Sequence, residues 1–171
     1  MYYFVDYHCH TRVSGDNSQT MEELVCSAAE RGVREICITE HFNFMPGTYC
    51  FGRFSYREED RQRRQTASLW PGIRILLGLE MDYMPDFMPL IRQIGRDLPL
   101  DYYIGSCHMS NGRHVWSDSF FEGRPMEEAY REYFLTVADC VREETFDTIA
   151  HFDWAKRKGC ELKHSGTHGK R

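Results

Sequence analysis

The sequence predicts an α/β fold in which short parallel strands alternate with helices. Three observations carry this. Apolar runs rich in β-branched residues recur along the chain with helical stretches between them. Strand alternating with helix implies crossover connections and so parallel pairing. Each of five strand runs is followed within a few residues by a metal-capable side chain, and in a β/α barrel the C-terminal strand ends all open on one face. Core histidines scattered at random would not fall at the same end of five successive strands.

Residues 2–6 read as a short buried strand leading into His8-Cys9-His10. A spacing of two on extended backbone puts both imidazoles on one face. Asp16 follows in a Ser-Gly-Asp-Asn stretch that also reads simply as a turn. Thr20-Met21-Glu22-Glu23 fits a capping box ahead of a helix that Gly32 is placed to end. The second strand, 35–39, runs into Glu40-His41, with Glu40 read as a neighbour of His41 rather than a ligand. Ser55-Tyr56-Arg57-Glu58 repeats the capping-box pattern before a polar helix, whose residues 57–64 read as a solvated face. The third strand, 73–79, leads to Glu80 and Asp82, and residues 86–97 read as a third helix. The fourth strand, 101–105, leads to His108. Met126, Ala129, Tyr130, Tyr133, Phe134, Val137, Ala138 and Val141 then keep the three-four spacing of an amphipathic helix. The fifth strand, 147–150, leads to His151 and Asp153.

At 171 residues the chain is one domain with enough length for a core. Its 42% hydrophobic and 27% charged residues are those of a soluble globular protein. No apolar run approaches the ~20 residues of a membrane span, and no secretory signal opens the chain. Seven cysteines, an odd number without a CxxC pair, fit a reducing cytoplasm. The net charge of −5, with no basic stripe along a helix, gives nucleic-acid binding little support. An acidic protein can still take an anionic substrate where metal ions supply positive charge. The basic stretch 156–171, with three glycines and no aromatic residue, reads as neither strand nor amphipathic helix. Cys160, His164 and His168 are spaced four apart, but the glycines argue against a helix that would align them as ligands.

The assembled motifs resemble the PHP superfamily, named for polymerase and histidinol phosphatase, and within it the histidinol-phosphate phosphatase branch. The matching pieces are Asp6-Tyr7-His8-Cys9-His10-Thr11 with Ser14-Gly15-Asp16, then Ile38-Thr39-Glu40-His41-Phe42. Gly78-Leu79-Glu80-Met81-Asp82-Tyr83, Asp101-Tyr102-Tyr103-Ile104-Gly105-Ser106-Cys107-His108 and Ala150-His151-Phe152-Asp153 continue the series. The resemblance implies a distorted (β/α) barrel, here with about five βα units and so incomplete. The family's last motif, an Asp-x-His, has no counterpart after residue 151. The domain is expected over 1–157, with 158–171 a disordered tail. The resemblance further implies up to three divalent ions: His8, His10 and Glu80 on the first, Glu80 bridging to a second held by His108 and His151, and Asp16 with His41 on the third.

Such a cluster suits hydrolysis of a phosphate monoester, whose dianion repels an incoming nucleophile. Imidazole ligands favour zinc, iron or manganese over magnesium. Glu80 and His108 are the expected catalytic ligands. Asp82, Asp153 and His114 are candidate acids for the leaving group, and Asp82 and Asp153 also fit an orienting role on ligating imidazoles. Arg12, Lys156 and Arg157 are candidate phosphate partners, with a surface-cation reading equally open for Arg12. Trp116 and Tyr49 are candidates for the pocket mouth. The expected activity is release of phosphate from L-histidinol phosphate in histidine biosynthesis. The alternatives are another small phosphoester or phosphotyrosine, or a truncated metal-binding fragment with little turnover. Unpaired sheet edges of an unclosed barrel would favour self-association.

Overall fold

The computed structural model describes residues 2–48 and 50–166, and side chains as far as residue 161. In chain order the elements are β1 (Phe4–Cys9), α1 (Met21–Glu30), β2 (Val33–Phe42), α2 (Tyr56–Leu69) and β3 (Arg74–Asp82). A 3-10 turn (Pro85–Phe87) leads to α3 (Met88–Asp97), β4 (Tyr102–Ser106), β5 (Met109–Ser110) and β6 (Arg113–His114). The chain closes with α4 (Asp118–Phe121), α5 (Met126–Arg142), β7 (Thr148–Ile149) and α6 (Trp154–Gly166). The five expected strands form one sheet in the order β1-β2-β3-β4-β7, and β5 and β6 pair as a separate hairpin. The pairs β1–β2 and β2–β3 are parallel, as the alternation of elements predicts. Two compact units are distinguished: the chain through Met81 with Asp86–Ile104, and Asp82–Pro85 with the chain from Gly105.

In the first unit, β2 and β3 are buried along most of their length, which explains their nearly unbroken apolar sequence. Met21 and Val25 of α1 pack on Ile36, Ile38, Ile75 and Leu77 of these strands. Burying each such side chain is worth roughly 1.5–3 kcal/mol. The Thr20–Glu23 capping box forms as the sequence predicts, with Thr20 Oγ1 accepting from Glu23 N–H at 3.2 Å. Gly78 of β3 fills a tight place, because a Cβ there would lie 2.4 Å from the Tyr102 carbonyl oxygen.

Three expectations for this unit fail. The strand expected to be buried is exposed, with Phe4 at 56% and Val5 at 52%, because β1 is outermost in the sheet order and only β2 flanks it. Ser55 does not cap α2 with its side chain, since Glu58 turns instead to the Arg61 guanidinium, with Nε–H donating at 2.8 Å. Nor do residues 57–64 form a wholly solvated face, because Glu59 and Asp60 among them are buried.

In the second unit, Ala129, Tyr133, Val137 and Cys140 form the buried stripe of α5, as their spacing predicts. The β5–β6 hairpin was not foreseen. Its turn is Asn111-Gly112, both at positive φ, and Asn-Gly is the sequence signature of that two-residue turn. The stretch expected to be an irregular tail from residue 158 is helical through Gly166. Gly159, read as a helix breaker, is a packing glycine: a Cβ there would sit 1.9 Å from the Tyr130 hydroxyl. Lys158 pairs with Asp118 at 2.8 Å, and Ala155 is fully buried. Residues 167–171 lie outside the described residues.

Candidate metal centre

The first unit gathers its candidate ligands around Glu80. Strand register sets His41 of β2 beside Glu80 of β3, so both side chains leave the sheet on one face. Glu80 is buried, with 1% exposure. Three imidazoles converge on its Oε2: His8 Nε2 at 3.0 Å, His10 Nε2 at 3.2 Å and His41 Nδ1 at 3.1 Å. His41 Nε2 faces Asp16 Oδ2 at 3.2 Å. One ligand atom each from His10, His41 and Glu80 lies within 4.8 Å of the other two, close enough to share an ion. Burial lowers the His10 pKa. The hydrogen bond and negative charge of Glu80, helped by Asp16 and Glu40, outweigh that and leave it raised. The same charge that holds a proton on this imidazole would hold a cation in its place. Nitrogen and carboxylate donors around one buried point suit a borderline ion such as zinc.

Glu40 has a different task from its neighbour. Alternation along β2 turns it away from His41, and it is buried. Its carboxylate accepts Thr11 N–H at 3.0 Å and Thr11 Oγ1–H at 2.6 Å. It also accepts the Ser14 hydroxyl, whose oxygen meets His41 N–H at 2.8 Å and His10 Nδ1 at 3.0 Å. The loop after β1 is thus tied down by one carboxylate. Glu59 of α2 is nearby: burial first, then the charges of Glu40 and Glu58, push its pKa up to about 7 against the pull of Arg12. Its Oε2 is buried with no hydrogen-bond partner among the described residues.

In the second unit, Asp82 Oδ1 accepts His108 Nδ1–H at 2.6 Å and the Ser106 hydroxyl at 3.2 Å. That contact makes Nδ1 the protonated nitrogen of His108 and puts the lone pair on Nε2. The His108 and His151 rings lie 5.1 Å apart, and Trp154 stands 4.7 Å from His151. His151 holds a positive φ of 23°, an uncommon backbone state for a side-chain-bearing residue. Arg157 stacks over Trp116 at 4.6 Å and Trp154 at 5.7 Å. The pKa of His114 is lowered by burial and by His108, with Asp82 opposing.

Of the residues singled out from the sequence, His8, His10, Asp16, His41 and Glu80 come together in the first unit. His108 and His151, with Asp82 on His108, come together in the second. Asp153 is exposed directly before α6, and Lys156 reaches over the Phe134 ring at 5.8 Å. Arg12 is exposed and acts on Glu23 and Glu59. Cys160 is exposed, whereas Tyr49, His168 and the side chain of His164 lie outside the described residues. Thr11, Ser14 and Glu40 were missed as a unit, and so was Arg157 as a stacking partner of Trp116. A 460 Å³ hollow opens elsewhere, at the start of β3 among Tyr56, Arg63, Arg74 and Asp101, away from the histidines. No described helix is long and apolar enough to cross a membrane.

Comparison with known proteins finds relatives along most of the chain. A histidinol-phosphatase of Lactococcus lactis is 33% identical over 159 residues, covering 91% of the chain and 58% of the relative. A probable histidinol-phosphatase of Clostridium acetobutylicum is 29% identical over 156 residues, covering 89% and 58%. The chain thus spans 58% of the length of these two relatives. A crystal structure of histidinol phosphate phosphatase from Lactococcus lactis, complexed with zinc, L-histidinol and phosphate, superposes with a TM-score of 0.81. It is 30% identical, and the match covers 90% of this chain and 59% of that one. The PHP domain model matches residues 6–167, a span that takes in every strand end bearing a candidate ligand, and the chain therefore belongs to the PHP family.

Proposed function

We propose that this chain belongs to a metal-dependent phosphomonoesterase that hydrolyses L-histidinol phosphate to L-histidinol and phosphate. The observation that carries this is the convergence of three imidazoles on the buried Glu80 carboxylate, in a chain similar to a structure holding zinc, L-histidinol and phosphate. His8, His10 and Glu80 would hold one divalent ion, Asp16 and His41 another, and His108 and His151 a further one, with zinc, manganese or iron as the metal. Bound ions would neutralise phosphate oxygens and acidify a water toward neutrality, the two needs of phosphate ester hydrolysis.

The chain's own groups divide the remaining work. Glu80 keeps three imidazole nitrogens facing one point. Asp82, taken up by His108 Nδ1, orients that imidazole rather than moving a proton to substrate. Protonation of the leaving oxygen falls to Asp153 or His114, since Asp82 is occupied. Arg157, held against Trp116 and Trp154, is the cation best placed beside His151 to pair with phosphate. Seven cysteines, an odd number without a CxxC pair, fit a reducing cytoplasm.

The test is phosphate release from L-histidinol phosphate by the purified chain with added zinc or manganese. Release is expected, and His108→Ala is expected to lower it by at least ~100-fold, because a ligand and its orienting carboxylate are both uncoupled. A zinc-loaded chain that releases no phosphate, or release indifferent to His108→Ala, would overturn this assignment.

A further inference from the structure

The Ser14 hydroxyl oxygen has three polar neighbours and one proton. It meets the Glu40 carboxylate, His41 N–H at 2.8 Å and His10 Nδ1 at 3.0 Å. A hydroxyl offers one hydrogen and two acceptor positions. The backbone N–H of His41 can only donate, so it occupies one acceptor position. A carboxylate can only accept, and Glu40 already receives the N–H and hydroxyl of Thr11, so the Ser14 proton points to Glu40. The one position left on Ser14 is an acceptor, and it faces His10 Nδ1. That nitrogen must therefore carry a hydrogen, so Nε2, the atom 3.2 Å from Glu80 Oε2, is the nitrogen that would give up its own hydrogen to a metal ion. In the second unit Asp82 sets His108 the same way by direct contact at 2.6 Å.

We propose that Ser14 and Glu40 are positioning residues that fix His10 as the Nδ1–H tautomer and so present its Nε2 as a metal ligand. This rests on the reading of His10 as a ligand. Nothing about the hydroxyl is incidental: Ser14 is fully buried, and all its hydrogen-bonding capacity is used. The carboxylate of Glu40 thereby determines, through one intervening hydroxyl, which nitrogen of a histidine thirty residues earlier is free to bind.

Glu40→Gln tests this with almost no change of shape. The Gln amide nitrogen would donate to Ser14 Oγ in place of accepting from it. Both acceptor positions would then be full, the Ser14 proton would turn to His10 Nδ1, and the imidazole would be driven to the Nε2–H tautomer. Two readouts follow this in the full chain. Long-range proton–nitrogen NMR of the metal-free protein is expected to show a hydrogen on His10 Nδ1, and none on that nitrogen in Glu40→Gln, with His108 unchanged. Competition titration with zinc is expected to show affinity ~10–100-fold weaker in Glu40→Gln and Ser14→Ala, with Ser14→Thr, which keeps the hydroxyl, close to the parent. In a His10→Ala background, Glu40→Gln should cause no further loss, an outcome that general loosening of the loop would not produce. A parent spectrum with no hydrogen on His10 Nδ1 would overturn the proposal. So would a folded Glu40→Gln protein with unchanged tautomer and zinc affinity. If the parent takes up no zinc, the metal-site reading fails, while the tautomer assignment still stands or falls on its own spectrum.

Discussion

At the scale of single residues, the two buried glutamates beside histidines show what a sequence can and cannot reveal. Glu80 was legible as a candidate ligand because it ends an apolar run, and extended backbone fixes the face it shares with His41. Glu40 was legible only as a neighbour, because its partners Thr11 and Ser14 lie 29 and 26 residues away across a loop whose path no local rule dictates. Glu59 was hidden differently, inside a run of charges that reads as solvent-facing. Its pKa of about 7, against an ordinary 4.5, makes a sign prediction. Below the ordinary value both folded and unfolded chains hold the proton, so burial costs nothing extra. As pH rises the unfolded chain releases it first, and stability falls until the folded group also ionises. Glu59→Gln removes that cost. It should raise unfolding stability at pH ~8 by up to about 3 kcal/mol and change it little at pH ~4, as read by urea unfolding. Equal gains at both pH values would contradict the assigned cause.

Elements were more legible than residues wherever one local pattern decides them. The capping box of α1 and the apolar stripe of α5 formed as their spacing requires. The β5–β6 hairpin carried its Asn-Gly signal but is too short to show alternation. The helix α6 was obscured because a glycine that ends helices by propensity can also admit a neighbour, and only the place of Tyr130 distinguishes the two. Gly78 raises the same question within a strand. Its missing Cβ lets β4 come close enough for Tyr102 to sit where a methyl group would be, and backbone cannot rotate away as a side chain can. Gly78→Ala should therefore destabilise by roughly 1–3 kcal/mol in urea unfolding. A variant as stable as the parent would show that the two strands can part without loss.

At the scale of the whole chain, parallel pairing was readable from the alternation of elements, whereas the exposure of β1 was not, since an apolar run reads as buried whether or not a second strand flanks it. Among the described residues only β2 pairs with β1, which leaves one line of backbone donors and acceptors open beside exposed Phe4 and Val5. Such an edge recruits further strands. Sedimentation should show association that grows with concentration and recedes in Val5→Lys, and a monomer at every concentration would refute it. The parallel run β1-β2-β3 has a consequence in time as well. Each strand pairs with the next one in sequence, so His8, His10, His41 and Glu80 are all in place by the end of β3 at Asp82. Synthesis proceeds from the N-terminus at roughly 5–20 residues per second, and short-range pairings close fastest. A nascent chain therefore carries a complete set of three imidazoles and a carboxylate seconds before His108 and His151 are made. Zinc captured at that moment would act as an early staple on the growing polypeptide.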